Sequence, residues 1–137
     1  MNFKEIDQLK DLILTHEQYK NLPWVKVLYV DKNKERSPYV FEVSRGEKSL
    51  LYFGVWHTND PANPQFADIE ARFKLAKPDI VYIEGWETIN TKSKKVIEEI
   101  RNESLEEVKT QGESNFTLKL AIDAGVDFES PEPKFLQ

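Results

Sequence analysis

Apolar positions along the chain change period twice, and each change marks a different kind of element. Phe3, Ile6, Leu9, Leu12 and Ile13 recur three to four residues apart, the spacing that gathers one face of a helix. The "NLPW" segment ends that helix, because the residue before a proline is pushed out of the helical region. From residue 24 to residue 55 the runs "WVKVLYV", "YVFEV" and "SLLYFGV" are rich in β-branched and aromatic side chains. The segments "DKNKERSP" and "SRGEK" separate them with turn-forming composition, so the pattern predicts an antiparallel meander with a hairpin at Gly46.

Beyond Val55 strand and helix patterns alternate. "NPQFADIEARFKLAK" places Asn63 as an N-cap, Pro64 at the first helical position, and Phe66, Ile69, Phe73 and Ala76 on one face. "PDIVYIEG" is a short unbroken apolar run, the pattern of a strand covered on both faces. A charged helical stretch from about Lys92 to Lys109 follows, interrupted near Asn102, where Ser104 and Glu107 have the spacing of a capping box. "SNFTLKLAIDAG" reads as a helix closed by Gly125, and "VDFES" as a last strand before "PEPKFLQ". The expected fold is α/β: an N-terminal helix and an antiparallel β-meander leading into βαβαβ with a mainly parallel mixed sheet. The strands from Leu50, Ile80 and Val126 would run parallel, with their carboxyl ends on one edge, where open α/β sheets bind ligands.

Composition narrows the classes. A chain of 137 residues with 39% apolar content is long enough for one core, so residues 1–137 are read as a single domain. There is no cysteine, which removes disulfides, thiolate zinc sites and a cysteine nucleophile. A net charge of -5 argues against a nucleic-acid surface. The cations Lys92, Lys94, Lys95 and Arg101 are interleaved with Glu98, Glu99 and Glu103, as on a solvated helix face. The charged N-terminus "MNFKEIDQLK" has no signal-peptide core and no segment is long and apolar enough for a bilayer, so a cytoplasmic location is the default expectation. The oligomeric state is left open, a homo-oligomer included.

The candidate chemistry lies at the expected sheet edge. The chain has two histidines, and one of them, His57, follows directly on an apolar run. The second parallel strand ends in Glu84 and the third in Glu129, Ser130 and Glu132, while Gly112 and Glu113 sit just before a helix facing the same crevice. A neutral imidazole with carboxylates suits a divalent metal that activates water, or general acid and base catalysis. Without cysteine the donors are N and O, which favours zinc, manganese or another first-row ion. Each residue also has a structural reading. His57 could be a loop histidine bonded to the backbone, Glu84 a cap on the turn at Gly85, and Glu113 a complement to the helix dipole; against the turn reading, a carboxylate directly after four apolar residues is expected to be at least half buried and to need a partner. Glu132 lies between two prolines in a stiff extended segment, and Asn59 and Asp60 precede Pro61 as ordinary turn residues. Ser114 and Ser130 lack the G-x-S-x-G context of a serine nucleophile.

These residues carry a family resemblance. "YFGVWHTNDPANPQFADIEARFKLAKPDIVYIEG", then "GES" and "SPEP", resemble the N-terminal half of the TraB/Tiki superfamily, which is related to the erythromycin-esterase and ChaN-like proteins. The matching features are a G-x-x-H from Gly54 to His57, P-D-x-V-x-x-E from Pro78 to Glu84, Gly112-Glu113 before a helix, and Glu132-Pro133 after a strand. They span about three-fifths of the chain, from Leu50 to Pro133. The resemblance implies a mixed α/β fold whose pocket gathers the histidine and glutamates and, for Tiki-like members, metal-dependent hydrolysis of a peptide bond. It implies His57 as a metal ligand or base, and Glu84, Glu113 and Glu132 as ligands or as groups that hold and activate water. The metal set expected on this basis is His57, Glu84 and Glu132, with zinc, manganese or cobalt as the ion.

One departure bears on the site. The family pattern has a second G-x-x-H, whereas no histidine follows His57 here. The expectation is an N-terminal fragment of a larger TraB/Tiki-like domain; a shortened relative with an altered pocket is the other outcome. The rival function is a non-catalytic domain that binds a small polar molecule or a partner. Peptide, ester and phosphate substrates are not distinguished by the sequence.

Overall fold

The structure, a computed structural model, describes Pro23 and residues 25–30, 39–85 and 94–131. The expected N-terminal helix, His16, Trp86, Glu132 and Pro133 lie outside the described residues. The chain divides into two compact units, Met1–Gly54 and Val55–Gln137. Helices and strands are mixed, with an antiparallel sheet in the first unit and a parallel strand pair in the second.

In the first unit the antiparallel meander is present. Strands β1 (Val25–Val30), β2 (Tyr39–Arg45) and β3 (Lys48–Gly54) pair in order, with a register shift between Val27 and Tyr29. Register places Phe41 opposite Tyr52, and their rings stack at 4.8 Å between centroids. The β2–β3 ladder closes at Arg45 and Lys48 around a two-residue loop. Its first residue, Gly46, has φ +59, the sign a tight hairpin requires at that position and one that L side chains resist.

The second unit holds the helices. Helix α1 (Gln65–Ala76) starts one residue later than its sequence predicts: Pro64, with helical φ, is the N-cap, and Asn63 Oδ1 still accepts from the Gln65 N–H at 3.0 Å. After strand β4 (Ile80–Tyr82) come α2 (Lys94–Asn102), α3 (Leu105–Lys109), α4 (Glu113–Ala124) and strand β5 (Asp127–Glu129). The break between α2 and α3 falls at the capping box: the Glu107 N–H donates to Ser104 Oγ at 3.2 Å, and the Ser104 N–H donates to Glu107 Oε2 at 2.7 Å. Gly125 closes α4 in the left-handed conformation.

Strands β4 and β5 pair in parallel with Val81 opposite Phe128, as expected for those two. The sequence reading joins β3 to them in one sheet; the ladders of the described residues are the two above, each within its own unit. Strand β3 completes its backbone bonding on one edge through the local hairpin.

Two cores hold the second unit together. Ile83, Ile100 and Leu118 are buried against each other, with Val81, Val96, Ile122 and Phe128 around them, so α2 and α4 close over the strand pair. Phe66 of α1 meets Phe116 of α4 edge to face at 5.1 Å between centroids, and both are essentially inaccessible. Burying each such ring contributes about 1.5–3 kcal/mol.

One expectation is corrected here: the apolar run at β4 is not covered on both faces, because Ile80 and Tyr82 are 40% and 58% exposed while Ile83 is buried. The strand is only three residues long, and side chains alternate, so the face opposite Val81 and Ile83 is left to solvent. No helix among the described residues is long and apolar enough to cross a membrane.

Candidate functional site

The functional geometry forms where the loop after Val55 meets the amino end of α4, entirely inside the second unit. Gly112 precedes the helix with φ +101, which turns the chain so that Glu113 opens the first turn; a Cβ at Gly112 would stand 3.6 Å from the Thr58 carbonyl oxygen. Glu113 is 6% exposed. A carboxylate so enclosed needs partners, and it has two.

His57 Nδ1 hydrogen-bonds Glu113 Oε1, and the Thr58 N–H donates to Glu113 Oε2 at 3.3 Å. Because a carboxylate only accepts, Nδ1 carries the proton in this pair. The ring itself stands out from the surface, its side chain 79% exposed. Nδ1 is therefore engaged at the buried side, and Nε2 is the nitrogen offered outward. The Glu113 hydrogen bond raises the His57 pKa above 6.5, the Glu113 charge adds to it, slight burial opposes it, and the Glu84 charge contributes in the same upward direction.

An open pocket of about 390 Å³ lies at this point, lined by residues 57–59 and 111–114. Around it the polar groups are fixed. The Asp60 N–H donates to Thr58 Oγ1 at 3.2 Å, and the Ala62 N–H to Asp60 Oδ1 at 3.0 Å, so Asp60 is the turn residue expected. Ser114 Oγ donates to the Glu84 carbonyl at 2.8 Å, and that bond engages the hydroxyl.

Of the four predicted site residues, His57 and Glu113 are in contact, and Glu84 is near enough to act on His57 through its charge. Glu132 lies outside the described residues. Glu84 is exposed rather than half buried: β4 ends at Tyr82, and residues 84–85 form a turn that carries the side chain outward. Among the described residues no group of three or more His, Cys, Asp and Glu side chains is arranged to hold a metal ion.

Sequence reasoning passed over Gln65. It is 6% exposed, and its amide bonds both backbone polar groups of Trp56: the Trp56 N–H donates to Oε1 at 2.6 Å, and Nε2 donates to the Trp56 carbonyl at 2.7 Å. A signal was present, since residue 65 falls one turn before Ile69 on the same apolar face as Phe73. An amide on such a face is buried and must be bonded.

No family model, curated protein or solved structure matches this chain.

Proposed function

We propose that the second unit is a hydrolase domain of TraB/Tiki type in which His57, oriented by Glu113, activates water against an amide or ester carbonyl. The observation that carries this reading is the engagement of Nδ1 by an enclosed carboxylate on an otherwise exposed imidazole. That arrangement fixes one tautomer and leaves the lone pair on Nε2, as a general base requires. The water adds through oxygen to the carbonyl carbon while its proton passes to Nε2. Glu113 stabilises the imidazolium, which returns the proton to the leaving nitrogen or oxygen as the carbonyl bond to it breaks. The upward pKa shift is consistent with this role, because it reflects the same stabilisation of the imidazolium by Glu113.

A divalent ion, zinc, manganese or cobalt, belongs to the same reading. His57 Nε2, Glu84 and Glu132 would hold it, and it would supply a Lewis acid that lowers the pKa of bound water. In that case His57 is a ligand, and Glu113 keeps the same task, since ligating histidines commonly donate their other ring N–H to a carboxylate.

Purified protein is assayed against activated aryl esters and short peptide amides, with EDTA or with each of the three ions. Turnover that falls about 10²–10⁴-fold in His57→Ala supports the base role. A rise in Tm on adding an ion, abolished by His57→Ala, supports the ligand role. The open pocket lined by residues 57–59 and 111–114 also suits a second reading, a non-catalytic site for a small polar molecule. No turnover under any of these conditions would favour it.

A further inference from the structure

We propose that Gln65 is a positioning residue for His57, gripping the backbone of Trp56 from within α1 and so setting the imidazole against Glu113. The inference rests on His57 being the reactive group of the site. It goes beyond that reading in assigning a role to a residue on another element that touches neither the pocket nor the ring.

Past Gly54 the chain leaves the β3 ladder, and the polar groups of the 56–58 segment need other partners. Gln65 bonds the N–H and the carbonyl of Trp56 at once, at 2.6 and 2.7 Å, as a neighbouring strand would. Only one orientation of the amide satisfies both, because the N–H needs an oxygen and the carbonyl needs an NH₂. Glu113 then takes His57 Nδ1 and the Thr58 N–H. Three consecutive residues are thus held by two enclosed side chains from two helices.

Those helices are fixed to each other. Phe66, adjacent to Gln65, packs edge to face on Phe116, one turn along from Glu113. The two grips are therefore referenced to one aromatic contact, and the distance between them is set by the core of the unit. Gln65 itself is anchored at the start of α1, where Asn63 Oδ1 accepts from its N–H at 3.0 Å. With the Gln65 amide removed, the Trp56 backbone loses both of these bonds. The exposed ring of His57 then depends more on Glu113, through its own bond and that of the Thr58 N–H, to resist solvent competition, and a single hydrogen bond open to water is worth little net.

The test reads the tautomer of His57 rather than activity. An imidazole side chain free in water favours the Nε2–H form, whereas the bond to Glu113 selects Nδ1–H, and the two are told apart by the ring ¹⁵N chemical shifts at alkaline pH. The His16→Gln background leaves His57 as the sole histidine. In that background the expected result is Nδ1–H for the otherwise unchanged protein and a change to the free-imidazole pattern in Gln65→Met, with secondary structure retained by circular dichroism. Ile69→Val, a core truncation one turn further along α1, is expected to keep Nδ1–H, which separates positioning from general loosening.

Should Gln65→Met fail to fold, Gln65→Glu is read in its place. It keeps an acceptor for the Trp56 N–H and loses the donor to the carbonyl, and a mixed tautomer pattern is expected. An unchanged Nδ1–H pattern in a folded Gln65 variant, or the same change in Ile69→Val, overturns the inference. A protein that hydrolyses nothing yet shows the expected tautomer changes would remove the hydrolase reading and leave the role of Gln65 in placing His57 intact.

Discussion

Ser114 Oγ donates to the Glu84 carbonyl at 2.8 Å and so fastens the chain just past β4 to the first turn of α4. That turn also carries Glu113. Two carboxylates of unequal standing are thereby set around His57, one bonded to the ring and one acting only through its charge.

Breaking that fastening separates their contributions. Ser114→Ala is expected to cost about 0.5–1.5 kcal/mol in urea unfolding, the usual net worth of one hydrogen bond. The His57 pKa should remain raised in this variant, because Glu113 is its main cause. A return of the His57 pKa to its usual value in Ser114→Ala would mean that Glu84, not Glu113, governs the site.

Lys119 offers a second test, away from the pocket. It is 6% exposed, and its Nζ donates to the Arg101 carbonyl at 2.8 Å and to Asp123 Oδ1 at 2.9 Å, joining the end of α2 to α4. Lys119→Met keeps the aliphatic stem and leaves both acceptors without this donor. The expected loss is about 1–3 kcal/mol by chemical denaturation. A neutral result would show that water replaces the ammonium at no cost.

The junction between α2 and α3 gives a third. Ser104→Ala removes the N-cap and should lower stability by about 1 kcal/mol. Glu107 has its pKa lowered mainly by the backbone bond from Ser104, then by the hydroxyl. A depressed carboxyl stabilises the fold above its unfolded value of 4.5, and this contribution is lost as pH falls through the folded pKa. Ser104→Ala should move the Glu107 pKa part of the way back toward 4.5, read by NMR titration of the side chain.

What the sequence revealed and what it hid divide along contact range. The capping box at Ser104 and Glu107, the Gly125 stop and the hairpin at Gly46 are each fixed by residues a few positions apart and stand where the pattern puts them, and the start of α1 falls one residue from its expected place. The bond between His57 and Glu113 spans 56 positions. Both residues were legible as candidates from their places at a strand end and a helix start, but no spacing rule couples them. Glu113 reads from sequence as a ligand or a dipole partner, and only its burial beside the 57–58 backbone shows it to be an acceptor for the ring. Glu84 was misjudged because an apolar run was extended one residue too far into what is a turn. Gln65 was hidden because an amide on an apolar face is informative only when its burial is known.

The pH dependence of stability follows from the sign of the His57 shift. A histidine with a raised folded pKa stabilises the protein fully below its unfolded value of 6.5, and that contribution is lost as pH rises through the folded pKa. Thermal melts should therefore show this part of the stability declining from pH 6.5 upward in the unmodified protein, with the decline absent in His57→Ala. An identical pH profile in the two proteins would show that His57 gains nothing from its partner.

The most direct measurement of the central claim is the His57 pKa, followed through its ring proton resonances, in the unmodified protein and in Glu113→Gln. The account predicts a value above 6.5 that drops toward 6.5 when the Glu113 charge is removed, with a smaller residual elevation from Glu84. A value at or below 6.5 in the unmodified protein, or one that Glu113→Gln leaves in place, would contradict it.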